Sequence, residues 1–111
     1  MELAQKSGNQ SAPVVSTSSN ARLPTDTTLQ HAAKLAIVED KPIMMDYWTD
    51  SLEKKVLVGL RESSNEKLLV KNAEEYTSPI AKMYKSTTEY IIVTENSIYL
   101  VSSDIPSRKI N

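Results

Sequence analysis

The run Tyr90-Ile-Ile-Val-Thr-Glu-Asn-Ser-Ile-Tyr-Leu-Val101 decides the fold class of this chain. Two stretches of β-branched, aromatic and leucine side chains, Tyr90 to Val93 and Ile98 to Val101, flank the polar Thr94-Glu-Asn-Ser97. Asn96 is the residue of that turn best suited to positive φ, and the whole reads as a β-hairpin. Its strands are apolar at successive rather than alternate positions. Both faces must therefore be buried, inside a closed barrel or sandwich or against a partner.

Upstream, Lys54 to Arg61 is a second β segment, with Val56, Val58 and Leu60 on one face and Leu57 and Gly59 on the other. The polar turn Glu62-Ser-Ser-Asn-Glu66 joins it to Lys67-Leu-Leu-Val-Lys71, so these two strands form another hairpin. Ile43-Met-Met-Asp-Tyr-Trp48 reads as an earlier strand. Tyr76-Thr-Ser-Pro-Ile80 admits two readings. Ser78 as N-cap with Pro79 in the first turn would open a helix; alternatively Pro79 begins a strand, where a missing N–H does least harm. The β character of the residues after it favours the strand.

Residues 26–39 read as one short helix. Asp26 or Thr27 can cap its N-terminus, and Leu29, Ala32, Ala33, Ala36 and Ile37 recur at steps of three and four. Pro42 stops it and pushes Lys41 toward extended backbone. The expected architecture is mainly β: a small antiparallel barrel or sandwich of about five to six strands over residues 43–105. The short helix and an extended N-terminal arm precede it. Beyond it lies an extended C-terminal tail, residues 106–111, set off by Pro106.

The arm, residues 1–25, is polar. Eleven of its residues are Ser, Thr, Asn or Gln, so it cannot bury enough apolar area to offset the entropy of ordering. Val14, Val15 and Leu23 are its apolar footholds. It reads either as a solvated tail or as a strap that orders against neighbouring subunits. The arm leaves roughly 75 residues for a core, a size at which folding hides only about 60% of the unfolded chain's surface. With no Cys and one His, neither disulfides nor a zinc site can brace it, which makes partner contacts the remaining route to stability.

Chemistry finds little purchase. His31 is the only imidazole and reads as a surface helix residue rather than a catalytic base. Asp46, Asp50, Glu53 and Glu62 lack metal-ligand spacing, so no metal is expected. The two glycines, Gly8 and Gly59, cannot build a phosphate loop, and no cofactor is expected. Glu39-Asp40 and Glu74-Glu75 read as solvated carboxylates. The expectation is a protein that is not an enzyme.

A net charge of −1 gives no general attraction to nucleic acid or anionic lipid. Scattered lysines with Tyr84, Tyr90 or Tyr99 leave a single-strand nucleic-acid binder as a lesser reading. No apolar run approaches the ~18 residues of a membrane span. No secretory signal is read at the N-terminus, and a reducing compartment is expected. Asp46-Tyr-Trp-Thr49 holds the sole Trp. Tyr47 and Trp48 read either as core anchors or as hot spots of a protein interface.

Three stretches together resemble a known family: Asp46-Tyr-Trp48, Lys67-Leu-Leu-Val-Lys-Asn-Ala-Glu-Glu-Tyr-Thr-Ser-Pro-Ile80, and Tyr90 to Ser102. They are similar to a small, poorly characterised protein family of large nucleocytoplasmic DNA viruses, the chlorella-virus-like group, over residues 43–105. The resemblance implies a virion protein, a minor capsid component beneath or between capsomers, assembled in the host cytoplasm and not secreted. Its partners would be capsid subunits, and it carries over no catalytic or binding residues. A soluble, non-catalytic adaptor recognising one protein partner is the alternative.

Overall fold

The computed structural model describes residues 22–110. In chain order these form α1 (Asp26–Glu39), β1 (Ile43–Met44), α2 (Trp48–Leu52), β2 (Leu57–Arg61), β3 (Glu66–Asn72), β4 (Glu75–Tyr76) and β5 (Ile80–Ser86). Then come β6 (Glu89–Thr94), β7 (Ile98–Ser102) and β8 (Ser107–Ile110). The strands make two four-stranded sheets, β1-β7-β6-β5 and β4-β3-β2-β8. Of the two expected architectures the sandwich is the one realised. It has more strands than anticipated because β4, a two-residue edge piece, and β8, within the expected tail, carry no strand pattern of their own. It is also mixed: β1 runs parallel to β7 and β8 parallel to β2.

The β6–β7 hairpin sits at the centre of the first sheet and is covered twice. Ile92 and Val101 face the second sheet and meet Val58 and Leu69. Ile91, Val93, Ile98 and Leu100 face the other way, onto Ala32 of α1 and Trp48 of α2. The result is three layers: helices, first sheet, second sheet. Asn96 does not take positive φ. The loop is closed instead by Thr94, whose Oγ1 donates to Ser97 O at 3.1 Å and accepts from Ser97 N–H at 3.2 Å.

Consecutive residues pin the two cores. Tyr47 enters the space between the sheets, edge-on to Tyr99 at 5.2 Å with the Lys71 ammonium 5.0 Å from its ring centre. Burial first, then the nearby Glu75, Tyr99 and Asp46, push its hydroxyl up to about 12. Trp48 enters the helix-side core and its Nε1–H donates to Arg22 O at 2.6 Å, tying the end of the N-terminal arm to the domain. The expected strand 43–48 is therefore corrected. Only Ile43 and Met44 are β, and the chain then turns into α2, whose Ser51 Oγ accepts from Ser102 N–H at 2.9 Å.

Two further expectations shift. The buried stripe of α1 is Thr28, Leu29, Ala32, Leu35 and Ala36; Ala33 is exposed and Ile37 is 81% exposed. The N-cap is Thr25, whose Oγ1 accepts from Thr28 N–H, rather than Asp26 or Thr27. Residues 107–110 of the expected tail are β8, held beside β2 from Pro106 O, which accepts from Val58 N–H at 2.9 Å. Gly59 makes this possible, because a Cβ there would lie 2.6 Å from Ile110 Cδ1.

Trp48→Ala should lower unfolding free energy by about 3–5 kcal/mol, measured by urea denaturation. Trp48→Phe, which keeps most of the volume and loses the bond to Arg22, should cost about 1–2 kcal/mol.

Candidate functional site

The site is the strip where α1 lies along β5, the outermost strand of the first sheet. At one end Thr28 meets Ser86, and at the other Glu39 meets Lys82, whose Nζ lies 2.9 Å from Glu39 Oε2. That bond holds the Glu39 carboxyl below its ordinary range and the Lys82 ammonium above its own.

The Thr28 end is fixed by a buried carboxylate. Glu89, fully inaccessible at the start of β6, has no basic side chain among its hydrogen-bond partners within the described residues. Four threonine hydroxyls donate to it instead: Thr28 at 2.6 Å, Thr87 and Thr88 at 2.9 Å, and Thr25 at 3.0 Å. Burial raises its pKa, but the hydroxyls of Thr28, Thr88, Thr87 and Thr25 outweigh burial and hold it below the ordinary value. The carboxylate also lies at the N-terminus of α1, where unpaired amides favour a negative charge. Thr25 and Thr28 come from the helix end, and Thr87 and Thr88 from the two-residue β5–β6 turn, where Thr87 has φ of 53°. The cluster sets the register of α1 over β5.

Between helix and strand runs an open groove of about 380 Å³. Leu35, Ile91 and Tyr84 give it an apolar lining, and His31, Lys34 and Lys85 border it. A second groove, about 360 Å³, flanks the opposite side of β5 and is lined by Asn65, Glu66, Lys67 and residues 79–83. Met83 and Tyr84 are exposed by 38% and 42%. Their neighbours in the strand, Ala81, Lys82 and Lys85, are also exposed. No strand covers the outer edge of β5 among the described residues.

Of the residues named from sequence as protein contacts, the structure brings none to this strip. Val14 and Val15 lie outside the described residues. Leu23 is exposed by 71%, next to the buried Pro24. Tyr47 and Trp48 are corrected as surface contacts: at 3% and 4% exposure they are core anchors with no face left for a partner. Tyr90 and Tyr99 are half-buried against the inter-sheet core, so of the three tyrosines considered for base stacking only Tyr84 is exposed. His31, placed from sequence on the helix surface, borders the groove. Among the described residues no group of three or more His, Cys, Asp or Glu is placed to hold a metal ion. No described helix is long and apolar enough to cross a membrane. Sequence reasoning missed Glu89; its one local signal is the pair of threonines directly before it.

Comparison with protein-family models, curated proteins and solved structures finds no match to this chain.

Glu89→Gln should destabilise the protein by about 2 kcal/mol at neutral pH, the scale of hydrogen bonds to a buried charge. Because the native pKa lies below the unfolded one, the carboxylate's contribution is complete above about pH 5 and is lost as pH falls through the native value. Melting temperatures of the parent protein should therefore drop on acidification below pH 5. Those of Glu89→Gln should drop less steeply.

Proposed function

We propose that this chain is a non-catalytic protein-binding module that braces an assembly. Its family resemblance supplies the setting: a minor structural component of a virus particle, contacting capsid subunits. The observation that carries the binding role is β5, a seven-residue strand at an open sheet edge with Met83 and Tyr84 still exposed after both cores are filled. Large apolar side chains clustered beside unpaired backbone are what a protein partner covers. Ile37, exposed on α1, adds to the same character.

The titratable groups that stand out are committed to architecture. Glu89 anchors the helix, Tyr47 fills a core, and Glu39 pairs with Lys82. This supports binding over turnover. The small core, without disulfides, also favours a protein that gains stability from its partners. Residues 1–21 act in this reading as a strap along neighbouring subunits. They join the described chain at Arg22, whose carbonyl accepts from the indole N–H of Trp48.

Quantitative immunoblots of purified virus particles test the proposal. The chain should appear at a fixed ratio to the major capsid protein; absence, or a few copies per particle, would replace this reading with a soluble adaptor. Removing residues 1–21, which spares Arg22 and the Thr25 cap, should weaken co-sedimentation with capsid protein. Unchanged co-sedimentation would rule out the strap.

A further inference from the structure

The β5 edge has a geometry more specific than an exposed patch, and a proposal drawn from it rests on the binding-module reading. Ser86 and Glu89 flank the two-residue turn and form its hydrogen-bonded pair, so bonded pairs recur at Tyr84 with Ile91 and at Lys82 with Val93. Met83 and Lys85 therefore aim their N–H and C=O groups away from β6, into the open. No backbone hydrogen bond among the described residues reaches them from outside. At the far end the register slips at Ala81, which limits the straight, pairable stretch to Lys82 through Ser86.

A strand laid against that stretch would send alternate side chains to opposite faces. On one face they would enter the groove bordered by His31, Lys34 and Lys85. On the other they would enter the groove lined by Lys67 and Met83, since the Lys82 ammonium lies on the helix side with Glu39. The carboxylates nearby are engaged: Glu39 with Lys82, and Glu66 with Arg61. In a chain of net charge −1, this edge is locally basic.

We infer that β5 accepts an extended, acidic segment of a partner protein as an added strand, with main-chain bonds to Met83 and Lys85 and carboxylates facing the bordering lysines. The same lysines disfavour a second copy of this chain. Two β5 edges side by side would gather both copies of Lys82 and Lys85 along one seam, and lysines on an edge strand discourage self-pairing. Residues 1–21 fit poorly as occupant, since Glu2 is their single carboxylate.

The test uses the full chain and three ten-residue probes: valine alternating with glutamate, valine alternating with lysine, and the first peptide N-methylated at alternate residues. Amide exchange is followed by NMR. The glutamate peptide should slow exchange at Met83 and Lys85 and leave the already bonded Tyr84 amide little changed; the lysine and N-methylated peptides should do neither. Lys34→Glu with Lys85→Glu, both at exposed positions, should weaken the glutamate peptide by about tenfold.

Equal protection by the lysine peptide, or none by the glutamate peptide, would overturn the inference. So would protection present without peptide, whether it disappears on dilution (a second copy) or on removal of residues 1–21 (the chain's own arm). If the chain still co-sediments with capsid protein while the glutamate peptide fails, strand addition falls and the binding-module reading stands.

Discussion

The constraint that shapes the architecture is that the β6–β7 hairpin is apolar on both faces and so must be covered twice. Each fully buried Ile, Leu or Val contributes about 1.5–3 kcal/mol, and such residues project from the hairpin in both directions. The described residues meet this demand by dividing between the two faces. The segment carrying β2, β3 and β4, together with β8, covers one face, and α1 and α2 cover the other. Tyr47 and Trp48 sit where the chain crosses between these tasks, one in each core. With β6 and β7 inside, β5 is left outermost, and the candidate site is a by-product of that arrangement.

Burying a carboxylate without a cation costs several kcal/mol unless hydrogen bonds replace its water. Glu89 receives four hydroxyl bonds and the favourable end of α1. The two partners from the helix end, Thr25 and Thr28, and the two from the turn, Thr87 and Thr88, can meet only if α1 takes one register over the sheet. Apolar contacts around Ala32 would tolerate sliding; this cluster does not. It therefore holds the groove between α1 and β5 at a fixed width, which is how a residue remote from the surface shapes the interaction strip.

The parts legible in the sequence are those governed by local pattern. The bounds of α1 follow from its apolar recurrence and Pro42, although its cap is Thr25 and not Asp26 or Thr27, and both hairpins follow from their turns and dense apolar strands. The parts that are not legible depend on contacts distant in the chain. Thr28 looks like a polar interruption of the helix stripe until Glu89, 61 residues later, is placed beside it. Asp46-Tyr-Trp48 has strand-like composition, yet the indole's bond to Arg22 and the packing of α2 on β7 draw it into a turn and helix. Ser107–Ile110 lacks strand pattern because it is a parallel edge that packs only Ile110, over Gly59. The interaction strip escapes for the same reason: its two lining elements, α1 and β5, are far apart in sequence, and the tyrosine and tryptophan that draw attention are needed inside.

Native-state amide hydrogen exchange of the isolated chain measures this arrangement most directly. The amides of Ile91, Ile92, Val93 and Leu100 should exchange slowest, through global unfolding, while Met83 and Lys85 on β5 exchange at nearly free-chain rates. Slow exchange at Met83 and Lys85, or a β6–β7 hairpin that opens as readily as the edge, would contradict a doubly covered hairpin with an open outer strand.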